Sequence, residues 1–175
     1  MTGSIDISGS RIYIADDEPA NRRLLEVTLA RIGLTDVVVF GNGAALLAGV
    51  DVAEPDLILL DLRMPGLDGY EVLEALRGRR ADGDYLPILV LTADAHRETR
   101  DRALAAGADD YLSKPFDARE VQLRVRNLLA TRRLHKALAE RNSQLVEQLE
   151  VISSDLSRQE SDWAEVAAAL TQLEA

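Results

Sequence analysis

The 175-residue sequence predicts an α/β domain, a five-stranded parallel sheet wound on both faces by helices, with a long C-terminal helix after it. Three observations carry this expectation. Five short runs rich in Ile, Val and Leu alternate with amphipathic stretches from residue 11 to about residue 130. The runs are too short for buried helices and too continuously apolar for strands with one wet face, which is the pattern of strands covered on both sides. After Pro115 neither Pro nor Gly occurs again, so nothing in the sequence breaks a helix from Asp117 to Ala175.

Taken in order, residues 1–10 (MTGSIDISGS) are Ser- and Gly-rich and are expected to be flexible. The first strand, 12–15, stops at Asp16-Asp17-Glu18; Pro19 suits the first turn of a helix over 19–32, and Gly33 suits its C-terminal cap. The second run, 37–40, leads to a helix over 43–50. The third, 57–60, runs into Asp61 and then a Pro- and Gly-containing turn before a helix over 69–80. The fourth, 88–91, ends in Thr92-Ala93 ahead of a helix over 96–106 closed by Gly107. The fifth, 111–112, is followed by Ser113-Lys114-Pro115-Phe116, where a proline after Lys114 makes a cis peptide accessible. The last helix begins at 117. The first, third and fourth runs are the most apolar and are expected to lie at the centre of the sheet. The organisation expected is therefore a flexible 1–10, a domain over 11–130, and a helical stalk over 131–175 continuous with the last helix of the domain.

Composition narrows the function. Apolar residues make up 47% of the chain and aromatic residues 4%, so the core is aliphatic. Twenty Lys and Arg stand against 30 Asp and Glu, a formal charge of -10, which argues against direct nucleic-acid binding, since that needs cations to neutralise phosphates. The chain has no Cys, which excludes disulfides, thiolate nucleophiles and thiolate metal sites. No apolar run of the length of a membrane span and no secretory leader pattern are found, and a cytoplasmic location is expected.

The chemistry gathers at strand ends, where ligands bind in doubly wound sheets. Asp16 and Asp17 follow the first strand and Asp61 follows the third; adjacent central strands bring these carboxylates together. Three crowded acids repel one another, and a divalent cation relieves the repulsion. Oxygen ligands with no His or Cys nearby favour a hard ion such as Mg²⁺, which neutralises charge and orients a phosphoryl donor. Thr92 places a hydroxyl at the same edge and Lys114 a point charge for a phosphate. Singly, each has an ordinary explanation as a turn acid, a helix cap or a surface lysine. Their arrival in order at the ends of successive strands points to one site.

The segments IADDEPANRRLL, LILLDLRMPGLDGYEVL, PILVLTADA and AGADDYLSKPFDAREV resemble the receiver domain of two-component response regulators, over about residues 11–130. The resemblance implies a flavodoxin-like fold and a role for each residue. Asp61 is implied as the phosphoacceptor, taking its phosphoryl group from a histidine kinase. Asp17 is implied as a direct Mg²⁺ ligand, with Asp16 acting through water and Arg63 giving its backbone carbonyl. Thr92 and Lys114 are implied as partners of the phosphoryl oxygens, and Tyr111 as the aromatic that moves with Thr92. Arg63 and Asp94 flank the path of attacking water in that family, and an Arg–Asp pair there would hinder it; two independent exposed charges are the alternative. Asp109, Asp110, Arg100, Arg119, Glu120 and Arg124 fall on the segments, around the fourth helix, fifth strand and fifth helix, that many receivers use for charge-paired dimers.

The C-terminal helix carries a heptad seam at Leu138, Asn142, Leu145, Leu149, Ile152, Leu156, Gln159, Trp163, Val166, Leu170 and Leu173, apolar at nine of eleven positions. Asn142 falls at an a position, where a buried Asn fixes the register of a parallel two-stranded coiled coil at a cost in stability. Trp163 at a and Gln159 at d pack poorly, so the coiled coil is expected to be marginal. Upstream the seam meets Arg124, Thr131 and His135, and the packing phase changes over 131–138. The stretch from Arg119 to Arg141 holds seven Arg or Lys against two Glu, a partner-binding patch or a solvated face.

The function expected is a phosphorylation-switched module that passes a change at Asp61 through a dimeric stalk to an output domain or partner absent from this chain, of the cyclic-di-GMP enzyme or protein phosphatase type. Beyond phosphorylation and dephosphorylation of itself, no enzymatic activity is expected. A docking adaptor dimer is one alternative. A Mg²⁺-dependent phosphohydrolase is another, disfavoured because the leaving-group acid it needs two residues past the nucleophile is replaced by Arg63.

Overall fold

A computed structural model describes residues 6–79, 85–94 and 96–173, without the side chains of 155–157 and 159–173. Five strands, β1 (Ile12–Ala15), β2 (Val37–Phe40), β3 (Leu57–Asp61), β4 (Ile88–Thr92) and β5 (Asp110–Ser113), form one parallel sheet in the order β2-β1-β3-β4-β5. Between and after them run α1 (Pro19–Ala30), α2 (Gly43–Val52), α3 (Gly69–Arg79), α4 (Arg97–Ala106) and α5 (Ala118–Leu173). The three most apolar runs, β1, β3 and β4, are the central strands, and every residue of each is buried. The switch in strand order falls between β1 and β3, which opens a crevice at their carboxyl ends.

Alternation along the strands builds a core on each face. Tyr13, Ile58, Leu60, Ile88 and Val90 point toward α2, α3 and α4, where they meet Leu46, Val72, Leu73 and Ala103. Ile14, Leu57, Leu59, Leu89 and Leu91 point toward α1 and α5, where they meet Leu25, Leu29, Val121, Val125 and Leu129. Each fully buried aliphatic side chain of this kind stabilises the fold by about 1.5–3 kcal/mol before entropy is counted. Tyr13 is nearly buried, and its hydroxyl donates to the Ala53 carbonyl at 2.8 Å, satisfying an acceptor at the end of α2.

The helices follow their signals. Pro19 opens α1. Asn42 caps α2 by accepting from Ala45 N at 2.8 Å, and Gly107 closes α4 at φ 114°, a conformation open to glycine. Asp68 and Glu71 exchange side-chain to backbone bonds at the start of α3, a capping box. Strand β5 is longer than its apolar run because pairing with β4, Leu89 opposite Asp110 and Thr92 opposite Ser113, defines it; at the sheet edge a polar Asp110 is tolerated. The Lys114–Pro115 peptide is cis.

The chain divides into two compact units, Met1–His135 and Lys136–Ala175. In the first, α5 is packed through Val121, Val125, Leu128 and Leu129 and then through Arg132. Residues 6–10, expected to be loose, carry contacts: Ile7 packs against the core and Arg133 Nη2 donates to the Ser8 carbonyl at 2.8 Å. In the second unit, the seam side chains Leu138, Asn142, Leu145, Leu149 and Ile152 are all exposed. Those of Leu156, Gln159, Trp163, Val166, Leu170 and Leu173 lie outside the described residues. No helix among the described residues is long and apolar enough to cross a membrane.

Candidate functional site

Strand register assembles the site. Ala15 pairs with Leu60, so the next residues, Asp16 and Asp61, stand side by side. Asp61 pairs with Leu91, one residue before Thr92, and Thr92 pairs with Ser113, one residue before Lys114. Asp16 is fully buried and Asp61 nearly so, whereas Asp17 faces solvent. Carboxylate oxygens of Asp16, Asp17 and Asp61 lie within 4.8 Å of one another, the only such cluster among the described residues.

Lys114 bridges the two buried acids. Its Nζ donates to Asp16 Oδ2 at 2.7 Å and to Asp61 Oδ2 at 2.9 Å. Burial alone would lower the lysine pKa, but the bonds it donates to Asp16 and Asp61 outweigh it and hold Lys114 above its ordinary value, as a cation. Asp61 is held above the usual carboxylate range by burial; Lys114 pulls the other way, and the charge of Asp16 adds to the rise. Two buried carboxylates thus share one ammonium.

Asp16 is gripped by neighbours that sequence reasoning missed. Its Oδ1 accepts from Glu18 N at 2.9 Å and from Asn21 Nδ2 at 3.1 Å, and Asn21 reaches Oδ2 at the same distance. Arg22 Nη1 donates to the Asp16 carbonyl at 2.5 Å. The signal available was position alone: a residue five or six past a strand-end acid, in the first two turns of the following helix, faces back over the strand end.

At the mouth, Thr92 Oγ1 accepts from Asp94 N at 3.0 Å. Arg63 Nη2 stands 3.9 Å from Asp94 Oδ2, so the two charges do face each other. Asp94 also takes His96 N at 2.9 Å, the His96 ring, and Thr99 Oγ1 at 2.8 Å. These bonds, led by that from the His96 backbone, lower its pKa to about 2. A cavity of about 310 Å³ opens here, lined by Leu62, Arg63, Tyr70, Thr92, Asp94 and Arg102 among others. Tyr111 is half-buried beneath Arg100, whose guanidinium carbon is 5.4 Å from the ring centroid and whose Nη1 is 3.4 Å from the phenol oxygen.

Around α4, β5 and α5, Arg100, Asp109, Asp110, Glu120 and Arg124 already have partners within the chain. Arg124 donates to both Asp110 oxygens at 2.7 and 2.6 Å and to Glu120 at 3.2 Å, while Asp109 accepts from Ile88 N at 2.8 Å.

This geometry has a match among known proteins. Residues 12–126 match the response regulator receiver domain. The chain belongs to that family. As a receiver it is 42% identical over 120 residues to the transcriptional regulatory protein ResD of Bacillus subtilis, covering 69% of this chain and 48% of that protein. It is 39% identical over 122 residues to the DNA-binding response regulator MtrA of Mycolicibacterium smegmatis, covering 70% and 51%. The chain spans about half the length of these curated relatives. Among solved structures, the receiver domain of the Francisella response regulator 1452 superposes with a TM-score of 0.65 at 29% identity, covering 70% of this chain and 98% of that one. The chemotaxis protein CheY4 of Vibrio cholerae gives 0.62 at 28% identity, covering 68% and 98%.

Response regulator receivers accept phosphoryl groups from histidine kinases, and they bind Mg²⁺ in an acidic pocket. The oxygen-only set of Asp16, Asp17 and Asp61 in this receiver is the hard donor set such an ion requires.

Proposed function

We propose that this receiver takes a phosphoryl group from a histidine kinase onto Asp61 and relays the event through a dimeric stalk. The observation that carries the reading is the sharing of one ammonium, that of Lys114, between Asp16 and Asp61 at 2.7 and 2.9 Å, with Thr92 one strand away in register. A buried carboxylate beside a movable cation is equipped to become an acyl phosphate. Asp17, Asp61 and the Arg63 carbonyl would hold Mg²⁺, with Asp16 acting through water, and the ion when bound would supply charge neutralisation and orientation of the transferred group.

The chain's own residues do the rest. Asp61 attacks phosphorus and the kinase's histidine leaves. Lys114 turns from Asp16 toward a phosphoryl oxygen, and Thr92 Oγ1 exchanges its bond from Asp94 N for another. Tyr111 follows Thr92 inward, leaving Arg100. The face made by α4, β5 and α5 is thereby changed, and with it its capacity to pair with a second copy. Arg124, Asp110 and Glu120 support such a face because their partners can be exchanged between copies.

Beyond the receiver, Leu138, Leu145, Leu149 and Ile152 are exposed in the single chain, which supports a second helix covering them. We assign the seam, from Leu138 and Asn142 through Trp163, Val166, Leu170 and Leu173, to a parallel coiled coil that carries the change to an output domain or partner of the cyclic-di-GMP enzyme or protein phosphatase type. Incubation with phosphoramidate and Mg²⁺ tests the first step: intact mass rises by one phosphoryl group in the wild type and not in Asp61→Asn. Absence of that increase in the wild type defeats the reading. Light scattering with beryllofluoride and Mg²⁺ tests the second.

A further inference from the structure

Arg132 takes no part in the phosphoacceptor pocket, yet it is among the most buried charged residues described, only 2% exposed. A guanidinium does not lose its proton in a protein, so its burial demands acceptors. Arg132 finds two of them at the amino-terminal edge of the sheet. Nη2 donates to Glu54, in the loop leading into β3, and Nη1 donates to the carbonyl of Tyr85, just ahead of β4. Three residues on, and so on the same side of the helix, His135 stacks on the Tyr85 ring with centroids 4.5 Å apart. The next residue, Arg133, turned about 100° around the helix, holds the Ser8 carbonyl at 2.8 Å. The turn of α5 that ends the receiver is therefore held from two directions.

The segments gripped here lead into the two strands that matter at the other end. β3 ends in Asp61 and β4 ends in Thr92. Both are fully buried, and they are paired along their length. A helix tied to their leading ends cannot swivel independently of them, whereas one released after Leu129 would bend before any displacement reached residue 136.

We propose that Arg132, through Glu54 and Tyr85, is the positioning residue that makes α5 up to His135 part of the receiver body, so that a change at Asp61 reaches the stalk. This rests on the proposed phosphorylation and dimerisation. It also ties down, as far as His135, the junction over 131–138 where the packing phase was expected to change.

The test uses the full chain, in which the absence of Cys lets a Glu147→Cys variant carry a single spin label. Distances between labels in the dimer are measured with and without Mg²⁺ and beryllofluoride, and phosphorylation of Asp61 is followed by mass. Arg132→Met is expected to gain the phosphoryl group as the wild type does, while its label shift falls about threefold or more, the scale on which single residues modulate coupling. Glu54→Ala, which removes a half-exposed partner and leaves the core intact, is expected to do the same if Arg132→Met does not fold. Arg132→Lys, which keeps the charge, is expected to restore part of the shift. A full label shift in both Arg132→Met and Glu54→Ala overturns the inference, as does a wild type that is phosphorylated and dimeric but shows no shift. A wild type that neither gains mass nor dimerises overturns the underlying reading instead.

Discussion

Gly69 lies directly against the backbone of Asp61. A β-carbon at position 69 would stand 2.5 Å from the Asp61 carbonyl oxygen and 2.7 Å from Leu62 Cα, both backbone atoms that have no rotamer to yield. Gly69 N also donates to the Leu62 carbonyl at 3.0 Å, closing the loop between β3 and α3 over the acid. This glycine is required for space.

Gly69→Ala is therefore expected to push the loop away from Asp61. Overpacking of this kind costs about 1–3 kcal/mol. Urea unfolding measures that loss, and phosphoramidate labelling should slow with it. Gly78→Ala is the contrast. Gly78 lies within α3 with nothing within 4 Å of its β-carbon position, so alanine there should stabilise by about 0.5–1 kcal/mol through helix propensity. Equal destabilisation by both would remove the steric argument.

The raised pKa of Asp61 sets a pH dependence. A group whose folded value exceeds its unfolded value contributes stability that is full below about pH 3.9 and is lost as pH rises through the folded value. At neutral pH the ionised Asp61 thus weakens the fold, because burial strips water from its charge and the nearby charge of Asp16 adds to the cost, beyond what Lys114 offsets. Asp61→Asn leaves one buried acid for one ammonium. It should exceed the wild type in stability at pH 7, and the gain should shrink toward zero as pH falls below the ordinary carboxylate range. Metal-free urea titrations at pH 4 and pH 7 check the sign; a variant weaker than wild type at pH 7 contradicts it.

Arg63 and Asp94 are proposed to screen the phosphoryl group from water. At 3.9 Å, with Arg63 mostly exposed, their attraction is that of a surface pair, about 0.2–1 kcal/mol. Arg63→Ala should therefore shorten the lifetime of phosphorylated Asp61 by no more than about fivefold. Radiolabel decay measures it. An unchanged rate in Arg63→Ala would mean that the pair has no screening role.

Much of this site was legible because apolar strands advertise where they stop. Asp16, Asp61 and Thr92 each end or follow a run buried on both faces, and register does the rest. Asn21 and Arg22 were not legible, since polar residues in an amphipathic helix are read as its wet face; only the fold shows that α1 turns this edge toward Asp16. Arg132 was hidden more thoroughly. Its partners lie 78 and 47 residues away, and it sat within a basic run read as a patch or a solvated face. The structure instead pairs Arg124 and Arg132 within the chain, so that run is less free than its composition suggests.

Asn142 offers the sharpest test of the stalk. It is the first a position of the seam and lies exposed in the single chain between Leu138 and Leu145, both also exposed. If a second copy covers this stripe in parallel, the two Asn142 side chains meet and bond to each other, which fixes register while sparing less apolar surface from water. Asn142→Ile should then tighten dimerisation at least about tenfold, or about 1.4 kcal/mol, and should admit trimers or shifted registers that the asparagine excludes. Sedimentation equilibrium of the full chain reads both effects. Unchanged association would place Asn142 away from any helix–helix seam, whereas weaker association would show that its bond, and not the apolar stripe, holds the copies together.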